Sequence, residues 1–145
     1  MNTTRKLLAL ASVGIIAASI TAGQRSGSGG PLSGTSWQLV KFQSEDTTFS
    51  PDDKSKYTIT FAGNGRVTTR IDCNRASTTW RANAKGELQF GSWSRTSAKC
   101  GPGSLHDRIV TEGAAVRSFA IKDGHLFLSS MEGGGYYELE PLRRQ

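Results

Sequence analysis

The side chains in this chain most capable of chemistry are two cysteines, two histidines and a serine–aspartate pair. Cys73 lies in the stretch IDCNRASTTW, and Cys100 closes the stretch SRTSAKC. A reactive thiolate needs a base and a positive setting that lowers its pKa. Arg75 and Lys99 stand near in sequence, yet no local signature of a thiol enzyme surrounds either cysteine. Zinc held by Cys73, Cys100, His106 and His125 would call for closely spaced ligand pairs, and the chain has no CxxC and no HxxxH. Ser104, His106 and Asp107 are the residue types of a hydrolytic triad. On one helix, positions two and three apart do not build a nucleophile–base–orienter chain. Ser104 and Asp107 read better as a helix cap, with Asp in place of the usual Glu. Gly63-Asn64-Gly65 and Gly133-Gly134-Gly135 read as turns, because neither precedes a helix as a phosphate cradle does. The expectation is a protein with no catalytic residues, no metal and no cofactor.

The use of the two thiols then depends on compartment. The chain begins MNTTRKLLALASVGIIAASITAGQ. Arg5 and Lys6 precede an uncharged apolar run from Leu7 to Ile20, and small residues follow at Thr21, Ala22 and Gly23. This is the layout of a secretory signal peptide over residues 1–23, cleaved near Ala22 or Gly23. The apolar run falls short of the roughly 20 residues that span a bilayer. Ile20-Thr21-Ala22-Gly23 resembles a lipobox, but Gln24 stands where a lipoprotein needs a cysteine to acylate. A periplasmic or secreted protein is expected, with no transmembrane segment in the mature chain. Exported small domains with an even number of cysteines usually oxidise them. A Cys73–Cys100 disulfide is therefore expected, with buried free thiols as the main alternative. The loop it closes has 28 residues counting both cysteines. The chain-entropy relation gives roughly 3.6 kcal/mol for a loop of that size, a large share of a typical total of about 5–15 kcal/mol.

The elements that must position these residues follow from periodicity. Residues 24–31, ending in RSGSGGP, read as a flexible linker, and residues 32–142 as one small domain. In YTITF, Tyr57, Ile59 and Phe61 alternate with threonines. In RVTTRIDC, Val67, Thr69, Ile71 and Cys73 share one face and Arg66, Thr68, Arg70 and Asp72 the other. Period two marks half-buried strands. Asn64-Gly65 between them suits a two-residue hairpin loop. Further strands are expected at 36–43, at 76–80 pairing with 86–93 across an Asn83–Gly86 turn, at 125–130 and at 136–141. SLHDRIVTEGAAVRSF places Leu105, Ile109 and Val116 on one helical face, which predicts a helix over 104–117. Without βαβ alternation, the fold class is α+β with an antiparallel sheet.

The formal charge of the whole chain is +6; the signal segment carries two of the 18 basic residues and none of the 12 acidic ones, leaving +4. Between Arg66 and Lys99 stand Arg66, Arg70, Arg75, Arg81, Lys85, Arg95 and Lys99, opposed only by Asp72 and Glu87, with Trp80 and Trp93 in the same span. Such a mixture suits anionic surfaces, while charge runs most often merely solvate a sheet face. Export makes nucleic acid the least suitable partner.

The order Leu32-Ser33-Gly34-Thr35-Ser36-Trp37, then Cys73-Asn74, then Thr96 ahead of Cys100, resembles the META domain (HslJ-like) family, with its LxGTxW, GCNxxxGxY and TxMxC signposts. The likeness covers residues 32–142. Asp72 and Thr78 stand at the two glycines of the central signpost, Trp80 at its tyrosine and Ala98 at the methionine of the last. Losing both glycines suggests a strand pair reshaped around Cys73-Asn74. Asn74 is read as structural. The resemblance implies an antiparallel sheet curled into a partial barrel around one main helix, and a family without established enzymatic activity, linked to envelope stress. The function expected is a binding or assembly module of the bacterial envelope, acting as a monomer on an unknown envelope protein, peptide or lipid. The alternative is an inhibitor or protective protein presenting the loop from Gly133 to Tyr137.

Overall fold

Residues 29–131 and 133–143 are described by the structure, a computed structural model. The expected signal peptide and all but the end of the linker lie outside the described residues. The elements run β1 (Thr35–Gln43), β2 (Thr48–Phe49), a 3-10 turn (Lys54–Lys56), β3 (Tyr57–Phe61), β4 (Arg66–Ile71), β5 (Asn74–Ala82), β6 (Leu88–Phe90), β7 (Ser94–Arg95), α1 (His106–Gly113), β8 (Val116–Lys122), β9 (His125–Ser130) and β10 (Tyr136–Pro141). The strands form one antiparallel sheet in the order β6-β5-β4-β3-β1-β10-β9-β8, with β2 added to β1 and β7 to β5. Among the described residues, no helix is long and apolar enough to cross a membrane.

The sheet curls until its two ends meet. Glu87 and Ser118 form a bridge between them, and the Phe119 N–H donates to the Gly86 carbonyl at 2.8 Å. Gly86 has φ +82, and a Cβ there would stand 2.8 Å from the Phe119 carbonyl oxygen. The seam therefore needs glycine. The result is the expected curled antiparallel sheet with one main helix, closed further into a nearly complete barrel. Alternation drives the closure: Tyr57, Ile59 and Phe61 of β3, and Asn74, Ala76, Thr78 and Trp80 of β5, point inward and are buried. Trp80 packs edge-on against Phe61 with centroids 5.2 Å apart, and Phe42 is held between Phe49 at 4.9 Å and Tyr137 at 4.8 Å. Each fully buried side chain of this size contributes about 1.5–3 kcal/mol.

The helix lies against this core instead of inside it. α1 has no fully buried residue, and Leu105 and Ile109 pack half-buried on the barrel. Two tyrosines tie it down: the Leu105 N–H donates to the Tyr57 hydroxyl at 3.0 Å, and the Tyr137 hydroxyl donates to the Ile109 carbonyl at 3.3 Å. α1 is shorter than the expected 104–117. Ser104 Oγ accepts the His106 N–H, but Asp107 turns to His106 Nδ1, so no reciprocal cap forms. Past Gly113 the chain becomes β8, where a longer helix was expected. Its hairpin to β9 turns at Asp123-Gly124, both at positive φ (51° and 77°), the two-residue type that matches strand twist. The β3–β4 loop also differs from expectation. Ala62 and Arg66 still pair (2.8 Å) and the Gly65 N–H donates to the Ala62 carbonyl (3.2 Å), which leaves three loop residues, with Gly65 at φ 81 as the bulge. β1, β3, β9 and β10 match their expected bounds to within one residue. The expected 86–93 strand instead splits into β6 and β7, the second returning to β5 at Ala76 and Ser77.

Candidate functional site

The cysteine and asparagine motifs converge on one knot. Cys73 and Cys100 are joined, with Cα atoms 5.6 Å apart. Beside them the buried Asn74 amide grips a segment 24 residues away: Nδ2 donates to the Ala98 carbonyl at 2.8 Å, and Oδ1 accepts the Ala98 N–H at 2.8 Å. Oδ1 also accepts from the Thr96 hydroxyl at 2.8 Å, and that hydroxyl in turn accepts the Arg75 N–H at 3.0 Å. The segment from Arg95 to Cys100 is thereby pinned onto the start of β5. Cys73 itself is exposed, not on the inward strand face where alternation placed it. The cause is Asp72, whose φ of 58° turns the chain and ends the alternation at Ile71. Asp72 thus adopts the positive φ of a glycine position, a conformation Asp tolerates better than most residues. Thr78 and Trp80, the other departures, are buried and satisfied, by the Ser92 carbonyl at 2.9 Å and the Ala62 carbonyl at 3.2 Å.

The opening motif sits elsewhere, near the far end of β3. The Gly34 N–H donates to the Phe61 carbonyl at 2.7 Å. Thr35 Oγ1 donates to the Leu32 carbonyl at 2.6 Å and accepts from Trp37 Nε1 at 2.8 Å. These bonds seat the buried Leu32 and Trp37 in the core.

The basic residues divide into two sets. Arg66 and Arg70 on β4, and Arg75 and Arg81 on β5, face outward, with Arg70 opposite Arg75 and Arg66 opposite Thr79. Arg70 donates to the Asp72 carbonyl, Arg75 to the Asn74 carbonyl and Arg66 to Ser77 Oγ, at 3.2–3.3 Å. Arg95 does not join them. It pairs with Ala76, an inward position, yet is exposed, at the rim of the space between sheet and helix that Arg70 also borders, while Lys99 lines a groove beside it.

Between the sheet and α1 lies a half-open chamber of about 220 Å³. Leu39, Ile59, Leu128 and Leu139 line one wall, with Phe90, Trp93 and the helix residues Ile109 and Val110 on the others. Thr69 also lines it, and its hydroxyl is buried with no hydrogen-bond partner. A polar groove of about 550 Å³ runs alongside, between the Arg95–Cys100 segment and the start of α1, and shares Arg95 and Val110 with the chamber. Burial, reinforced by the Glu112 carboxylate, pushes the Tyr137 phenol well above its usual range. On the barrel wall, hydrogen bonds from Gln38 and Lys54 hold the Glu140 carboxyl below the usual carboxylate range.

The triad-like residues do not assemble. Ser104 Oγ bonds the His106 backbone and the His106 ring bonds Asp107. Among the described residues no three His, Cys, Asp or Glu gather as a metal site. Thr69 was legible as a polar residue on an inward strand face between Val67 and Ile71. The approach of Ile109 to Leu39 or Leu128 had no local signal.

The META domain family model matches residues 30–140. No curated protein matches the chain. Among solved structures, an NMR structure of a protein from Burkholderia xenovorans shares the fold with TM-score 0.65 and 20% identity, over 78% of this chain and 85% of that one. A crystal structure of a DUF4847 family protein from Bacteroides vulgatus shares it with TM-score 0.60 and 15% identity, over 79% of this chain and 96% of the other. With the family's motifs placed at the knot and at the start of β1, and its model matched over nearly all the described residues, the chain belongs to the META domain family.

Proposed function

We propose that this protein is an exported, non-enzymatic binding module of the bacterial envelope, and that its ligand is a lipid or similar apolar group taken into the chamber beneath α1. The observation that carries this reading is the chamber itself. Interiors are normally close-packed, and ligand sites are concave, mostly apolar spaces with a few placed polar groups. Export is supported by the layout of residues 1–23 and by the disulfide. Addition of a peptide strand has less support, because the two sheet ends meet along the β6–β8 seam. A presented inhibitory loop also has less support. The Tyr136 hydroxyl bonds Gln43 Oε1 at 3.0 Å and Ser130 Oγ bonds the Gly135 carbonyl at 3.1 Å, which hold the loop against the barrel.

The test is purification from the envelope or medium of the producing cells without detergent, followed by solvent extraction and mass spectrometry. The expected result is a chain starting after Ala22 or Gly23, with one lipid per protein in the extract. An intact residue 1–23 segment, or a protein with no extractable lipid and no uptake of added lipid, would contradict it.

A further inference from the structure

Three neighbouring strands, β4, β5 and β7, place Thr69, Ala76 and Arg95 in one cross-strand row. Thr69 of β4 pairs with Ala76 of β5, and Ala76 with Arg95 of β7; Thr69 and Ala76 turn to the interior, while Arg95 is exposed at the mouth of the chamber. Neighbouring strands are about 4.8 Å apart, so the two polar residues are separated by roughly 10 Å across the alanine. Ala76 fills little of that gap. On one side is a buried hydroxyl with no partner. On the other is the solvent-exposed Arg95, its guanidinium with no partner among the described residues, at the junction of the apolar chamber and the polar groove. Buried polar groups are nearly always hydrogen-bonded, and guanidinium is the side chain best shaped for a carboxylate. A group entering over Ala76 would meet the Arg95 guanidinium at the mouth and, after a small side-chain shift, the Thr69 hydroxyl, with the apolar chamber beyond.

Resting on the binding reading above, we infer that the ligand is a single-chain carboxylate amphiphile, with its carboxylate over Ala76 between Thr69 Oγ1 and Arg95. Its tail lies among Ile59, Leu128 and Leu139. Size supports one chain. A dry apolar cavity of about 150 Å³ takes a benzene ring, while drug-sized ligands occupy about 300 Å³ or more. A chamber of about 220 Å³ suits a medium-length acyl chain and is too small for the two tails of a phospholipid. The knot also gains a purpose: Asn74, Thr96 and the disulfide fix the segment that carries Arg95.

The test is calorimetric titration of the mature, oxidised chain with decanoate, decanol and decyltrimethylammonium, each below its micellar concentration. Decanoate is expected to bind at least tenfold more tightly than the other two. Arg95→Gln is expected to weaken decanoate about tenfold, the low end for a charge-assisted bond at a solvent-accessible residue, and to leave decanol unchanged. Thr69→Val is expected to weaken decanoate while leaving the thermal midpoint unchanged or raised, because it removes a hydroxyl that is unsatisfied in the empty protein. A purely structural threonine would not give that combination. Equal binding of decanoate and decanol, or decanoate binding untouched by both variants, would overturn the carboxylate assignment while leaving the apolar binding module intact. No uptake of any of the three probes would overturn both.

Discussion

Replacing Asn74 with alanine tests how the knot is held together. Asn74 is 1% exposed, and its amide makes three bonds of 2.8 Å: to the Ala98 carbonyl, from the Ala98 N–H and from the Thr96 hydroxyl. At a net value of about 1 kcal/mol each, Asn74→Ala should cost about 3 kcal/mol. The disulfide still tethers Cys100, so the segment loosens without being released. For a domain of this size, about 4 °C in Tm per kcal/mol gives a fall of roughly 12 °C. Thr96→Val removes one of the three bonds. In a double-mutant cycle by urea unfolding under oxidising conditions, Asn74→Ala should therefore cost about 1 kcal/mol less in the Thr96→Val background. If Asn74→Ala costs under about 1 kcal/mol, or costs the same in both backgrounds, the amide does not hold the segment and the reasoning fails.

Four other outcomes follow from single contacts. Cys73→Ala with Cys100→Ala should lower stability by roughly 3.6 kcal/mol in chemical denaturation, from the open loop alone; an unchanged midpoint would refute this. Asp72→Gly should raise stability by about 0.5 kcal/mol, since relief of a left-handed Asp at φ 58° outweighs the added freedom of glycine in the unfolded chain. A loss of stability would show that the Asp72 side chain contributes more than its backbone costs. Gly86→Ala should cost about 2 kcal/mol or more, because its Cβ would meet the Phe119 carbonyl at 2.8 Å, and should speed hydrogen exchange at the Phe119 amide, which an open seam would leave unaffected. Tyr137 gives a pH dependence of known sign. Burial raises its folded pKa, so the folded state keeps a proton that the unfolded chain releases near pH ~10. Its stability contribution is complete below that pH and is lost as pH rises through the folded value. Tyr137→Phe should flatten that alkaline slope, read from urea midpoints across pH.

Much of the sheet was legible because its cause is local. Tyr57, Ile59 and Phe61 alternate with threonines, and a strand buried on one face must do so. The exported-protein layout of residues 1–23 points to an oxidised cysteine pair, and Cys73 and Cys100 are bonded. The β8 strand was missed because Val116 and Ile109 share a helical spacing that overrode the Asp123-Gly124 hairpin signal. Cys73 was placed inward because Asp72 was counted as one more alternating residue; its positive φ leaves no mark in periodicity. The basic residues read as one run, yet Arg95 sits apart from the others at the mouth of the chamber, because β7 returns to β5 opposite Ala76 only after the chain passes Gly91–Trp93. That register is set by the tertiary knot, and so the site emerged only from the fold.

The most direct measurement is a set of isotope-filtered NOEs on the labelled, oxidised protein with unlabelled decanoate. The account predicts contacts from the decanoate methyl to Ile59, Leu128 and Leu139, and from the protons beside its carboxylate to the methyls of Ala76 and Thr69. Contacts confined to the exposed Ile121 and Met131, or a chain inserted with its carboxylate away from Ala76, would contradict it.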